Sequence, residues 1–148
     1  MSGEKIIALA MHKILDIGVH MKISQMIIEF AGDYINLGDT VEEMQNYLNV
    51  SCIAWNISLL PKNERKAAVD LFINNYIKTN PNDSNFYNVQ QDIELLIKNK
   101  CKYFPNEKYP IESAQIKEYE DEYKITVFSY KKKNDLATKQ NEPFQWYI

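Results

Sequence analysis

The stretch Cys52-Ile-Ala-Trp-Asn-Ile-Ser-Leu-Leu-Pro-Lys-Asn-Glu-Arg65 decides how this chain folds. Reading backwards from it, Val41, Met44, Leu48, Cys52, Trp55 and Leu59 form one apolar row at three- and four-residue spacing. Tyr47, Val50, Ala54 and Ile57 form a second row beside the first. A helix apolar over most of its circumference is enclosed by other elements, not laid on a surface. Pro61 removes a backbone donor and closes this helix, and a new amphipathic segment begins at once.

Outward from this centre the spacing predicts five helices and then a small β element. The first helix covers about residues 4–17, with Ile7, Met11, Ile14 and Leu15 on one side and Gly18 placed to end it. The second runs from Ser24 to about Ile35, with Ser24 as its cap and Ile23 and Ile28 as a hydrophobic staple. Gly38-Asp39 breaks the chain, and Thr40-Val-Glu-Glu43 has the spacing of a capping box opening the central helix, expected to end at Leu60. The fourth spans about Lys62 to Thr79, burying Val69, Phe72, Ile73, Tyr76 and Ile77, and Asn80-Pro-Asn-Asp83 stops it. The fifth spans about Ser84 to Tyr103, its stripe being Phe86, Val89, Ile93, Leu96, Ile97 and Cys101. Short connections make consecutive helices antiparallel neighbours.

After Pro110 the apolar period drops to two: Ala114 and Ile116, then Tyr123, Ile125 and Val127, with the acidic Tyr119-Glu-Asp-Glu122 between them. That pattern is a β-hairpin over about 111–130, and a lone hairpin needs helices against one face. Residues 131–148 form a tail, a polar stretch followed by Pro143-Phe-Gln-Trp-Tyr-Ile148. Phe144 and Trp146 on one side of that end suit either docking on the chain's own core or binding a partner. The expected fold is therefore α+β and mostly α, one domain over 1–148: a compact bundle of about five helices with a C-terminal hairpin packed on it.

Composition narrows the function classes. The 148 residues are 45% hydrophobic and 25% charged, ordinary for a globular domain burying roughly 70% of its unfolded surface. A net charge of −3 gives no overall attraction for nucleic acid or an anionic membrane. No apolar run reaches the roughly 20 residues of a membrane span, and the first residues lack the uninterrupted apolar centre of a secretory signal, so the expected location is cytoplasmic. Cys52 and Cys101 fall within apolar helical patterns, where thiols behave as small core hydrophobes, and form neither a disulfide framework nor a zinc motif. The abundance of Ile, Asn and Lys suggests an AT-rich bacterial genome.

No motif for catalysis, a cofactor or a metal stands out. His12 and His20 have no carboxylate at metal-ligand spacing, and four glycines leave no phosphate loop. Among the denser carboxylate groups, Glu42 with Glu43 and Asp92 with Glu94 read as exposed helix faces, and Glu118 to Glu122 as a solvated turn. Lys131, Lys132 and Lys133, with Lys124, could track a nucleic-acid backbone, although lysines at a strand end also blunt edge association. Asn56 is the most unusual polar residue, in line with Glu42 and Asn49 on the narrow polar strip of the central helix. Such an amide must find partners. It either ties down a neighbouring turn or helix end, or faces a ligand with Trp55 as one wall.

Phe30-Ala31, Cys52-x-Ala-Trp-Asn-x-x-Leu-Leu-Pro61, Glu64 and Phe104-Pro105 before a hairpin resemble a group of small bacterial proteins of no established activity. The resemblance spans about Ile23 to Val127 and implies no functional residue. The expectation drawn from all of this is a non-catalytic protein-binding module of the accessory, inhibitor or immunity type. Its candidate contacts are Trp55, Asn56, Phe144 and Trp146, with an unidentified protein partner. The alternatives are a small hydrolase or nuclease with clustered carboxylates, and a weak nucleic-acid binder through Lys124 and Lys131 to Lys133.

Overall fold

The computed structural model describes residues 22–82 and 86–129. Among them are four helices, α1 (Ile23–Ile35), α2 (Val41–Ser58), α3 (Lys62–Thr79) and α4 (Phe86–Tyr103), followed by strands β1 (Ile111–Tyr119) and β2 (Glu122–Ser129). The α+β, mostly helical bundle with a terminal hairpin is as the periodicity predicts. The expected first helix, over about 4–17, and the tail from 131 onward lie outside the described residues. No helix among the described residues is long and apolar enough to cross a membrane.

Helix α2 is the axis of the fold: it packs against α1, α3, α4 and β1. Met44, Leu48, Ala54, Trp55 and Ile57 are fully buried along it, and even Ser51 and Ser58 are buried. Ser51 and Ser58 direct their hydroxyls to the carbonyls of Tyr47 and Trp55 on their own helix, so they need nothing from the core. At its start Thr40 accepts from the Glu43 amide at 3.1 Å, while Glu43 reaches past the cap to accept from Asp39 N–H at 2.7 Å. Gly38 is required in the preceding turn by close approach, since a Cβ there would lie 2.7 Å from Met44 N.

Two element boundaries differ from the spacing. Helix α1 begins one residue early, so Ser24 lies inside its first turn and Lys22 is the capping residue. The Gln25 side chain reaches back and accepts the Lys22 amide at 3.1 Å, so the capping residue's own donor is satisfied in place of a Ser24 cap. Helix α2 stops at Ser58, not Leu60, because the Leu59 and Leu60 amides bond three residues back and tighten the last turn ahead of Pro61. Arg65 then donates from Nε to the Leu60 carbonyl at 3.0 Å.

The hairpin is attached to the helices through its backbone. Extended residues i, i+2 and i+4 present polar groups along one edge, and the connection after α4 has this spacing. The Glu107 carbonyl accepts from Lys100 Nζ at 2.6 Å, the Tyr109 carbonyl from Trp55 Nε1 at 2.9 Å, and the Ile111 carbonyl from Asn56 Nδ2 at 2.8 Å. Asn56 Oδ1 also accepts the Ile111 amide at 2.8 Å. Gln45, three turns earlier on the same strip of α2, repeats the device: it donates to the Ala114 carbonyl at 3.0 Å and accepts from Ile116 N–H at 2.9 Å. Residues 111 and 114 are an odd number apart and would face opposite edges of a regular strand. The bulge between Ile111 and Ser113 restores the phase and places Ile111 and Ile116 on the buried face together.

Two outcomes follow. Asn56→Ala leaves the Ile111 amide and carbonyl without their partners and should cost about 2–4 kcal/mol in urea unfolding. Glu120, at the first position of the two-residue turn, has φ 52°, a left-handed conformation that penalises any side chain. Glu120→Gly should therefore raise stability by up to about 1 kcal/mol in the same assay.

Candidate functional site

Trp55 and Asn56 lie at the end of α2 and are committed to the fold. The Trp55 indole is fully buried, with the Phe30 ring at 5.6 Å and Lys100 Nζ at 4.8 Å from its centroid. Its N–H is used on Tyr109, and both poles of the Asn56 amide are used on Ile111. The hydrogen bonds thus show Asn56 tying down a neighbouring segment. Phe144, Trp146 and Lys131 to Lys133 lie outside the described residues, and Lys124 is exposed on β2.

Lys100 is the residue that the sequence reading missed. It lies seven residues after Ile93 and four after Leu96, on the buried row of α4, where the heptad spacing alone marks it. Cys101 had been placed on that stripe instead and is only half-buried. Burial, reinforced by the positive charge of Lys108, lowers the Lys100 ammonium to about 8. Burial also pushes the Cys52 thiol up to about 12.

A groove of about 630 Å³ lies between α1 and α4, and neither Trp55 nor Asn56 lines it. Glu29 and Asp33 on α1 and Leu37 in the turn after it recur every fourth residue and form one wall; Asp92, Leu95, Asn99 and Tyr103 form the other on α4. Phe30, Tyr34 and Leu96 lie deeper and belong to the core or its margin. Leu37 is 66% exposed, Leu95 57% and Tyr103 50%, an apolar surface left open where neighbouring helical positions are buried.

The charged groups of the groove have one sign. Glu29, Asp33 and Asp92 line it, and among the described residues no Lys or Arg does. Among the described residues the ion pair within 4 Å is Lys66–Asp70 on α3, at 3.0 Å. Asp92 corrects the sequence reading, which placed it on an exposed face: it is half-buried, and burial raises its carboxyl above the usual range. Burial, with the Asp92 carboxylate next in weight, also pushes the Tyr34 hydroxyl above the ordinary tyrosine range. The Tyr34 ring stands edge-on to Tyr47 at 4.8 Å. Among the described residues no three His, Cys, Asp or Glu side chains are grouped to hold a metal ion.

The Lys100 environment has a pH signature. Unfolded, Lys100 keeps its proton to about 10.5; folded, only to about 8. Between those values the unfolded chain binds more protons, so this group makes stability rise with pH there, with its full penalty present below 8. Cys52 acts oppositely above its ordinary 9.0, since the folded chain keeps that proton longer. Lys100→Met should isolate the lysine contribution. Wild type should gain stability relative to the variant as pH rises from 8 to 10.5, read from paired urea titrations, and parallel curves would show that the charge is not buried.

No family model, curated protein or solved structure matches this chain.

Proposed function

We propose that this chain is a non-catalytic protein-binding module, of the accessory, inhibitor or immunity type in a bacterial system, and that it docks its partner in the α1/α4 groove. The observation that carries this reading is the coincidence of exposed Leu37, Leu95 and Tyr103 with an acidic rim along one groove. An apolar patch rimmed by polar groups is the composition of a recognition surface. The sequence candidates Trp55 and Asn56 support it indirectly, by holding the bundle rigid behind the groove.

The same groove gives a second reading, hydrolysis by gathered carboxylates. Asp92 is partly desolvated while Glu29 and Asp33 are exposed, and acid–base pairs need such unlike environments. Docking is favoured because Glu29 and Asp33 follow a rim row on α1 that leads to exposed Leu37, where a catalytic pair would converge on an enclosed floor.

The test is a photo-crosslinking amino acid placed at Leu95 in the full chain within its native host. A matching probe at Leu71 on α3, 51% exposed and outside the groove, is the control. A discrete adduct should form from position 95, be absent from position 71, and disappear in the Leu37→Asp background. Equal labelling from both positions, or none from 95, would remove the docking reading.

A further inference from the structure

We infer that the occupant of the α1/α4 groove is a cationic amphipathic α-helix of a partner protein, about three turns long. The inference rests on the docking reading above and specifies the partner's chemistry.

Length comes first. The α1 wall runs from Ile28 to Ile35, about 11 Å of helix at 1.5 Å per residue, and is extended by Leu37 in the turn that follows; the α4 wall from Asp92 to Tyr103 is about 17 Å, three turns. A space of that length between two helices accepts a third helix of roughly ten residues, with apolar anchors at i, i+4 and i+7.

Backbone chemistry selects helix over extended peptide. Both walls are helical apart from the turn at Leu37, whose amide bonds the Tyr34 carbonyl, so along their length the main chain is used internally and no strand edge is offered. Recognition must pass through side chains. Nor is such an edge open over the first part of β1, where Asn56 takes the Ile111 carbonyl and amide and Gln45 takes the Ala114 carbonyl and the Ile116 amide.

Charge fixes the sign. Glu29 and Asp33 stand four residues apart on one helix face, an arrangement of like charges that weakens a helix unless a cation lies over it. Asp92 faces the groove from the opposite wall. Among the described residues no Lys or Arg lines the space, and Lys102 Nζ stands 5.3 Å from the Tyr103 ring at one end only. Lysines flanking an apolar stripe would therefore meet carboxylates on both sides, while an acidic helix would meet repulsion over most of its length.

The experiment uses the purified full chain and three fluorescein-labelled 14-residue peptides. One is a helix with Leu at i, i+4, i+7 and i+11 and Lys elsewhere; the second replaces every Lys by Glu; the third is the Lys peptide interrupted by two prolines. Anisotropy should give at least ten-fold tighter binding of the Lys helix than of either other peptide. D33K/D92K, checked by circular dichroism, should invert the order of the Lys and Glu helices. Glu29→Lys, at an exposed position, should weaken the Lys helix several-fold even if the double variant fails to fold. Equal binding of the proline-interrupted peptide, or an order unchanged by charge reversal, would overturn the inference. So would an intrachain crosslink or a covalent dimer from the Leu95 probe in the purified chain, which would assign the groove to this chain or to a second copy. If the Lys helix fails while the Leu95 adduct in the native host persists, the cationic occupant falls and the docking reading stands.

Discussion

The structure depends on satisfying one edge of an extended segment. Residues 107–116 pass along the helices, with β2 on one side only from Ile111 onward, and unpaired backbone groups at a buried edge are costly. Four side chains stand where a third strand would be: Lys100, Trp55, Asn56 and Gln45 take the carbonyls of Glu107, Tyr109, Ile111 and Ala114 in turn. Three of the four come from α2, which explains why a helix so nearly apolar keeps a polar strip. The strip fastens the hairpin, and it covers a β1 edge that could otherwise pair with another chain.

This fastening explains the company Trp55 keeps. Its ring is enclosed by Phe30 from α1 and Lys100 from α4, while its N–H reaches the loop before β1. Burying an indole is worth on the order of 4 kcal/mol. Its larger effect is to bring three elements and one loop to a common point. The Lys100 ammonium, placed over the ring and bonded to Glu107, keeps some of its charge compensation in a buried site.

Helix α4 divides its two adjoining rows between stability and surface. Ile93, Leu96 and Lys100 face the core, while Asp92, Leu95, Asn99 and Tyr103 turn toward the groove. A shift of one residue in the sequence therefore separates a residue committed to the core from one lining the groove. On this arrangement the groove rests on a rigid base, because the α2 core and the Trp55 cluster lie directly behind Phe30 and Leu96.

The sequence by itself determined the four described helices, the hairpin and the burial of α2, because those follow from local periodicity and from breakers such as Pro61 and Gly38. It also determined that Asn56 needs partners, since an amide among Ala54, Trp55 and Ile57 cannot be left bare. It could not supply which partners: Ile111 is 55 residues away, and only the packing of α2 on β1 joins them. The same limit hid Lys100, whose charge argues for solvent in any local reading although its row argues for the core. The groove was hidden for the same reason. Glu29 and Asp33 lie about sixty residues before Asp92, and a space between two helices exists only once their axes are set side by side.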